Sequence, residues 1–256
     1  MTATRSTLST ATPPLASVAP RGLGDDAREL AAGYAPHHRL YEIGGICGAI
    51  VATGCLAVRL AETPQILPLA PLAMVLGMLA ADFISGFVHW ACDTWGSTST
   101  PIVGQLAIRT FREHHVDPTA IVRHDFVETN GHNFALSLIP SIAGLEVASP
   151  FARACLFATA VFVAMTSQIH KWAHEDAPPS FIRLLQRLRV ILSTDHHDVH
   201  HAAPHTRNFC ITTGWLDRPL HVARFFETLE GLVTALTGAR VARDAPSAAT
   251  TAPPPP

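Results

Sequence analysis

The sequence predicts an all-α fold: an integral membrane four-helix bundle carrying a cytoplasmic, histidine-rich helical cap. Three observations carry this expectation. Charged residues make up only 15% of the 256 positions, against about a quarter in ordinary soluble domains, and the mean hydropathy is positive at +0.24. Four apolar segments lie between polar ends. Fifteen histidines stand against a single lysine, Lys171, and the histidine-rich groups fall at one end of the apolar segments.

The two ends of the chain read differently from its middle. Residues 1–36 are rich in Ser, Thr, Ala, Pro and Gly and show no periodic apolar pattern, so a disordered tail is expected. They carry no apolar stretch with a small-residue cleavage site, which argues against a signal peptide. Residues 245–256 close in four prolines and form a second expected tail. Between them, 37–244 is expected to be one membrane domain. A net charge of −2 gives no reason to expect a nucleic-acid partner. Cys47, Cys55, Cys92, Cys155 and Cys210 form no CxxC pair, which disfavours a disulfide framework or a zinc ribbon.

A membrane-crossing helix needs about 20 mainly apolar residues. The expected crossings are about 43–60, 66–90, 134–148 and 151–170, the third being the weakest. A buried helix of a soluble bundle would show a polar face, and 66–81 has none. Arginines mark the side. The turns near Glu62 and Ser149 are nearly free of positive charge. Arg28 and Arg39, Arg109, Arg112 and Arg123, and Arg183, Arg187 and Arg189 flank the other ends, which the positive-inside rule makes cytoplasmic. Both termini and a cap formed by 91–133 and 171–240 then lie on the cytoplasmic side. A heavy Arg and Ala bias suggests a bacterial cytoplasmic membrane.

The histidines fall into groups with helical spacing. Ser193 to His205 holds five imidazoles in ten residues, and residues four apart share a helix face, so His196/His200 and His197/His201 are stacked pairs. In 81–93, Asp82, Gly86, His89 and Asp93 share one face. Ionisable groups inside a membrane helix usually face a functional interior, which makes His89 a metal ligand and places Asp93 in the catalytic site as a ligand or as acceptor for one. His114 and His115 are adjacent and diverge by about 100° on a helix. His170 and His174 lie four apart at a helix exit. Lys171 stands where an HExxH zinc protease needs its glutamate, so that chemistry is excluded. The expected ligands are His89, His114, His115, His170, His174, His197, His200 and His201, with His196, His124 and His132 as a second tier. A single zinc site uses three or four protein ligands, so eight suffice for two metals. Mostly-imidazole ligation suits iron, copper or zinc. The Glu-x-x-His motifs of soluble di-iron bundles are absent.

Several longer motifs carry a resemblance. They are His89-Trp90 followed by Asp93-Thr94-Trp95-Gly96, Pro101-Ile102-Val103-Gly104, Phe111-Arg112-Glu113-His114-His115-Val116-Asp117-Pro118 and Arg123-His124-Asp125-Phe126. Gln168-Ile169-His170-Lys171-Trp172-Ala173-His174, His196-His197-Asp198-Val199-His200-His201 and Cys210-Ile211-Thr212-Thr213-Gly214-Trp215-Leu216 complete the set. From about residue 80 to 238 the chain resembles the plasmanylethanolamine desaturase family. That family includes plasmalogen-forming enzymes, a myxobacterial regulator of light-induced carotenoid synthesis and, more distantly, a plant phosphatidylglycerol acyl desaturase. Asp217 stands where the family commonly has Asn. The resemblance implies a membrane enzyme with two Fe ions, O2 as co-substrate and electrons from an external cytochrome b5-like or ferredoxin-like protein. It would introduce the 1′,2′ vinyl-ether double bond into the O-alkyl chain of 1-O-alkyl-2-acyl-glycerophosphoethanolamine. Arg109, Arg112 and Arg207 are candidates for the lipid phosphate. Two alternatives stay open: an acyl-lipid desaturase or hydroxylase acting on an ester-linked chain, and a non-catalytic signalling protein of the photo-oxidative response.

Overall fold

The computed structural model describes residue 34, residues 36–239 and residue 241, so both expected tails lie outside the described residues apart from Tyr34 and Pro36. Among the described residues there are α-helices, a 3₁₀ stretch and a π turn, and no strand. Four helices are long: α1 (Pro36–Ala61), α2 (Ala70–Thr94), α5 (Phe126–Glu146) and α6 (Pro150–His174). Six are short: α3 (Arg109–Val116), α4 (Ala120–Arg123), α7 (Ser180–Arg187), α8 (Thr194–His201), α9 (Asp217–Val222) and α10 (Phe225–Thr237).

Local chemistry sets where the long helices begin. Asp125 caps α5, its carboxylate accepting from the amides of Val127 at 2.9 Å and Glu128 at 3.1 Å. The helix therefore starts eight residues before the apolar run at Phe134, and its first two turns carry Glu128, Asn130, His132 and Asn133. Ser149 caps α6 ahead of Pro150 at the first helical position. A 3₁₀ stretch, Pro64–Leu69, leads into α2.

The long helices pack in a row, α1 on α5, α5 on α6 and α6 on α2. Close approach replaces bulk at the crossings. A Cβ on Gly77 of α2 would lie 2.7 Å from the backbone nitrogen of Thr159 in α6, and one on Gly131 of α5 would lie 2.8 Å from Cα of Glu42 in α1. Polar side chains bridge the helices, as small and hydroxyl residues do in membrane bundles: Thr53 to Ser141 at 2.9 Å, Asn133 to Ser167 at 2.9 Å and Asn130 to Gln168 at 3.1 Å. Large apolar side chains such as Ile50, Val51, Leu72, Val75, Ile139 and Ile142 point outward. That inverts the pattern of a water-soluble protein. Three helical stretches, Pro36–Ala61, Pro64–Thr94 and Pro150–His174, are long and apolar enough to cross a membrane. The polar first turns keep α5 out of that set.

The short helices gather at one end of the row. Ile182, Ile191, Leu192 and Ile211 bury against Ile169 and Ala173 near the end of α6. Phe209 and Phe226 bury against Trp90 of α2, and Trp90 also donates through Nε1 to Glu230 in α10 at 2.9 Å.

The irregular segment 207–216 runs along α2, with Phe209, Cys210, Ile211 and Thr212 buried. Irregular backbone of this kind needs internal partners for its polar groups. Asp82 supplies three: its carboxylate accepts from the amides of Thr213 at 2.6 Å, Gly214 at 2.9 Å and Leu216 at 3.0 Å. One turn on, the Ser85 hydroxyl accepts from Ile211 at 3.1 Å. Asp217 holds the same loop from its far end, accepting from the Cys210 amide at 3.0 Å.

Two outcomes follow for stability in detergent micelles, read as the midpoint of thermal unfolding. Gly77→Ala forces a methyl group into the α2–α6 crossing and costs about 1–3 kcal/mol. Asp82→Ala strands three buried amides and costs about 3 kcal/mol or more. An unchanged midpoint in either variant contradicts the packing described.

Candidate metal centre

The centre is built where the ends of α2 and α6 meet α3 and α8. Two groups of ligand-capable atoms form there: His114, His170, His174, His197 and His201, and beside them His89, Asp93, His115 and His200. Every atom within a group lies within 4.8 Å of the others. All eight first-tier histidines and Asp93 are thus brought together. His196, His124 and His132 are not.

Helical geometry explains the division. The 100° step between adjacent residues sends His114 into the first group and His115 into the second. On α8, His197 and His201 share the face turned to the first group, and His200 turns to the second. The stacking expected between His196 and His200 is broken. His196 instead meets Asp217, Nε2 to Oδ2 at 2.7 Å, and this partner raises its pKa above the ordinary imidazole range. Asp217 is therefore buried and engaged at both oxygens.

The ring orientations are fixed from behind. His89 and His200 each place Nδ1 against a backbone carbonyl, of Phe209 at 3.0 Å and Arg207 at 2.8 Å. A carbonyl only accepts, so each Nδ1 carries the proton and each Nε2 is left with a free lone pair. That is the usual way a protein presents a metal-binding imidazole. The Nε2 of His89 is buried without a hydrogen-bond partner. Asp93 Oδ2 lies 3.4 Å from Nε2 of His89, 3.1 Å from that of His115 and 3.4 Å from that of His200, so one carboxylate oxygen faces three imidazole nitrogens.

The first group has no carboxylate. Its Nε2 atoms crowd one another: His170 to His197 at 2.7 Å, His197 to His201 at 3.0 Å and His201 to His114 at 2.9 Å. A neutral imidazole has one N–H, and Nδ1 of both His114 and His197 is buried without a partner. Imidazole nitrogens packed this closely, with Nε2 of His174 buried and unpartnered in the same group, fit a cation at the point where they meet. Burial holds His114 and His197 well below the ordinary imidazole range, and burial with neighbouring histidines pushes His201 down to about 3. These rings are neutral at physiological pH, the state that binds metal. The two groups adjoin, with the rings of His197 and His200 5.7 Å apart and those of His201 and His115 5.5 Å apart. The residues present fit a metal centre.

A cavity of about 410 Å³ opens against the first group, where His114 and His170 form part of its wall. Val88, Leu106, Phe111, Leu136, Ile139 and Ile211 line its apolar part, and Glu113, His124, Glu128, Thr129 and His132 its polar part. Two of the three second-tier histidines, His124 and His132, therefore face this cavity. Two of the three arginines expected to meet a phosphate have partners within the protein: Arg109 donates to Glu113 at 3.0 Å while buried, and Arg112 reaches the carbonyls of Cys92 and Asp93 at 3.5 and 3.4 Å. Lys171 donates to the His124 carbonyl at 2.7 Å.

Two contributors escaped the sequence reading. The carbonyls of Phe209 and Arg207 leave no side-chain signal. Asp82 was visible as an intramembrane acid on the face of His89, but its role as anchor for a loop more than a hundred residues away was not.

Residues 78–244 match the family described as the lipid desaturase domain. The chain is 48% identical over 219 residues to plasmanylethanolamine desaturase of Myxococcus xanthus, covering 83% of this chain and 78% of that protein. It is 45% identical over 232 residues to plasmanylethanolamine desaturase 1 of Mus musculus, covering 85% of each. A more distant relative is chloroplastic fatty acid desaturase 4 of Arabidopsis thaliana, 34% identical over 192 residues, covering 70% of this chain and 59% of that protein. No solved structure matches. The matched region contains every histidine of the two groups, and the apolar helices carry the outward face of a membrane-associated protein: the chain belongs to the lipid desaturase family, alongside the plasmanylethanolamine desaturases.

Proposed function

We propose that this chain is an O2-dependent plasmanylethanolamine desaturase that forms the 1′,2′ vinyl-ether bond of plasmalogens. The observation that carries the reading is the cavity whose wall sets apolar side chains beside His114 and His170. The scissile C–H bonds of this substrate lie next to the ether oxygen, close to the headgroup. A metal group at the polar end of an apolar cavity suits that position, because the rest of the alkyl chain can extend past Leu136 and Ile139.

His114, His170, His174, His197 and His201 would hold one iron ion, and His89, His115, His200 and Asp93 the other. When bound, the pair supplies the oxidation of the alkyl chain by O2. The balance is one alkyl ether, one O2, two electrons and two protons, giving one vinyl ether and two waters. The chain's own residues do the rest. The carbonyls of Phe209 and Arg207 keep the rings of His89 and His200 in the ligating tautomer. Asp93 brings the only negative charge of the two groups. Val88, Phe111 and Ile211 exclude water from the cavity and position C1′ and C2′.

The reading extends to topology. α1, α2, α5 and α6 form a four-helix bundle crossing a bacterial cytoplasmic membrane, α5 being shielded by α1 and α6. The short helices make a cap on the cytoplasmic side, where both termini lie and where an external cytochrome b5-like or ferredoxin-like donor delivers electrons. The name of the Arabidopsis relative keeps a second reading in view, the desaturation of an ester-linked chain.

Product analysis separates them. In a host supplied with 1-O-alkylglycerol, the wild type is expected to yield acid-labile vinyl-ether ethanolamine phospholipid by mass spectrometry before and after acid. A His200→Ala/His201→Ala variant, which removes a ligand from each group, should lower it about 100-fold or more. A new double bond in an ester-linked acyl chain instead would replace the first reading with the second.

A further inference from the structure

We propose that Glu128 is the counter-charge for the primary ammonium group of the lipid headgroup, in a subsite at the polar end of the cavity. The proposal rests on the lipid-substrate reading above and names the part of the cavity that reads the headgroup.

Two carboxylates line the cavity, and they differ in how they are balanced. Glu113 accepts from the buried Arg109 guanidinium at 3.0 Å. No lysine or arginine among the described residues pairs with Glu128. Its nearest ion-pairing partner is His124, whose Nε2 lies 3.6 Å from Glu128 Oε1 and 3.8 Å from Glu113 Oε1, beyond hydrogen-bond reach of both. No lysine or arginine lines the cavity either. A carboxylate without a cation in a half-apolar cavity is costly to keep, and a ligand cation removes that cost.

A second observation comes from the adjacent residue. Thr129 is 92% buried, lines the same cavity, and its hydroxyl has no hydrogen-bond partner. A hydroxyl can donate to a phosphate oxygen while the neighbouring carboxylate accepts from the ammonium. Glu128 and Thr129 thus offer, side by side, the two kinds of contact that a phosphoethanolamine group needs. A primary ammonium has three N–H donors for charge-assisted bonds. A glycerol headgroup brings no charge, and a quaternary ammonium has no N–H to donate.

The subsite and the first metal group share one cavity, whose wall holds Glu128 and Thr129 as well as His114 and His170. Glu113 precedes His114, which lines the same cavity. Anchoring the headgroup here sets how far the alkyl chain slides past His114 and His170, so the subsite would govern both headgroup choice and position of oxidation.

The test uses purified, metal-loaded full-length protein, O2, an added electron donor (reduced ferredoxin with its reductase) and 1-O-alkyl lipids with either an ethanolamine or a glycerol headgroup. Native mass spectrometry of bound lipid is read beside kcat/KM for vinyl-ether formation. Wild type is expected to prefer the ethanolamine lipid. Glu128→Gln should lower its binding and kcat/KM for that lipid about tenfold while leaving the glycerol lipid unaffected and the metal content at the wild-type level. Glu62→Gln, on an exposed turn, should keep the wild-type preference. An unchanged preference in Glu128→Gln overturns the proposal. Absence of product from the wild type, with an ethanolamine binding preference that Glu128→Gln removes, overturns the desaturase reading and leaves the headgroup subsite standing.

Discussion

Three backbone amides converge on one buried carboxylate. The bonds from Thr213, Gly214 and Leu216 to Asp82 tie an irregular loop to the middle of a long apolar helix. The same loop presents the Phe209 carbonyl to His89 and the Arg207 carbonyl to His200. Together with the Ser85 bond to Ile211 and the packing of Phe209 on Trp90, this anchor holds the loop along α2, and its loss loosens the contacts that set the tautomers of two imidazoles. A carboxylate placed at membrane depth is expensive. Here the cost is offset by the amides it satisfies, which would otherwise be buried without partners.

The two ligand groups differ in charge although they share a wall. One is five neutral imidazoles, and the other is three imidazoles and a carboxylate. A cation in the first group gains no compensating charge from its ligands, whereas one in the second is partly balanced by Asp93. The cavity meets the uncompensated side, through His114 and His170. An asymmetric pair is therefore built in by sequence order alone: adjacent residues on α3 and on α8 are dealt to opposite groups by the helical step.

Much of this was legible in the sequence, for identifiable reasons. Spacings of four on helices named His170/His174 and His197/His201 as faces, and the adjacency of His114 and His115 signalled divergence. What depended on long-range contact was not legible. The stacking of His196 on His200 fails because Asp217 draws His196 away, a contact between residues 21 positions apart in sequence. The second-tier pair, His124 and His132, could be seen as chemically able but not as cavity-facing. The start of α5 was missed because hydropathy registers Phe134 and beyond, while the Asp125 cap begins the helix in polar residues.

The most direct test of a two-metal centre is Mössbauer spectroscopy, with iron counting, of the purified chain loaded with ⁵⁷Fe. The account predicts two irons per chain, in two distinguishable environments reflecting the all-imidazole group and the one that holds Asp93. A single iron per chain, or a protein that takes up zinc and excludes iron, would contradict it.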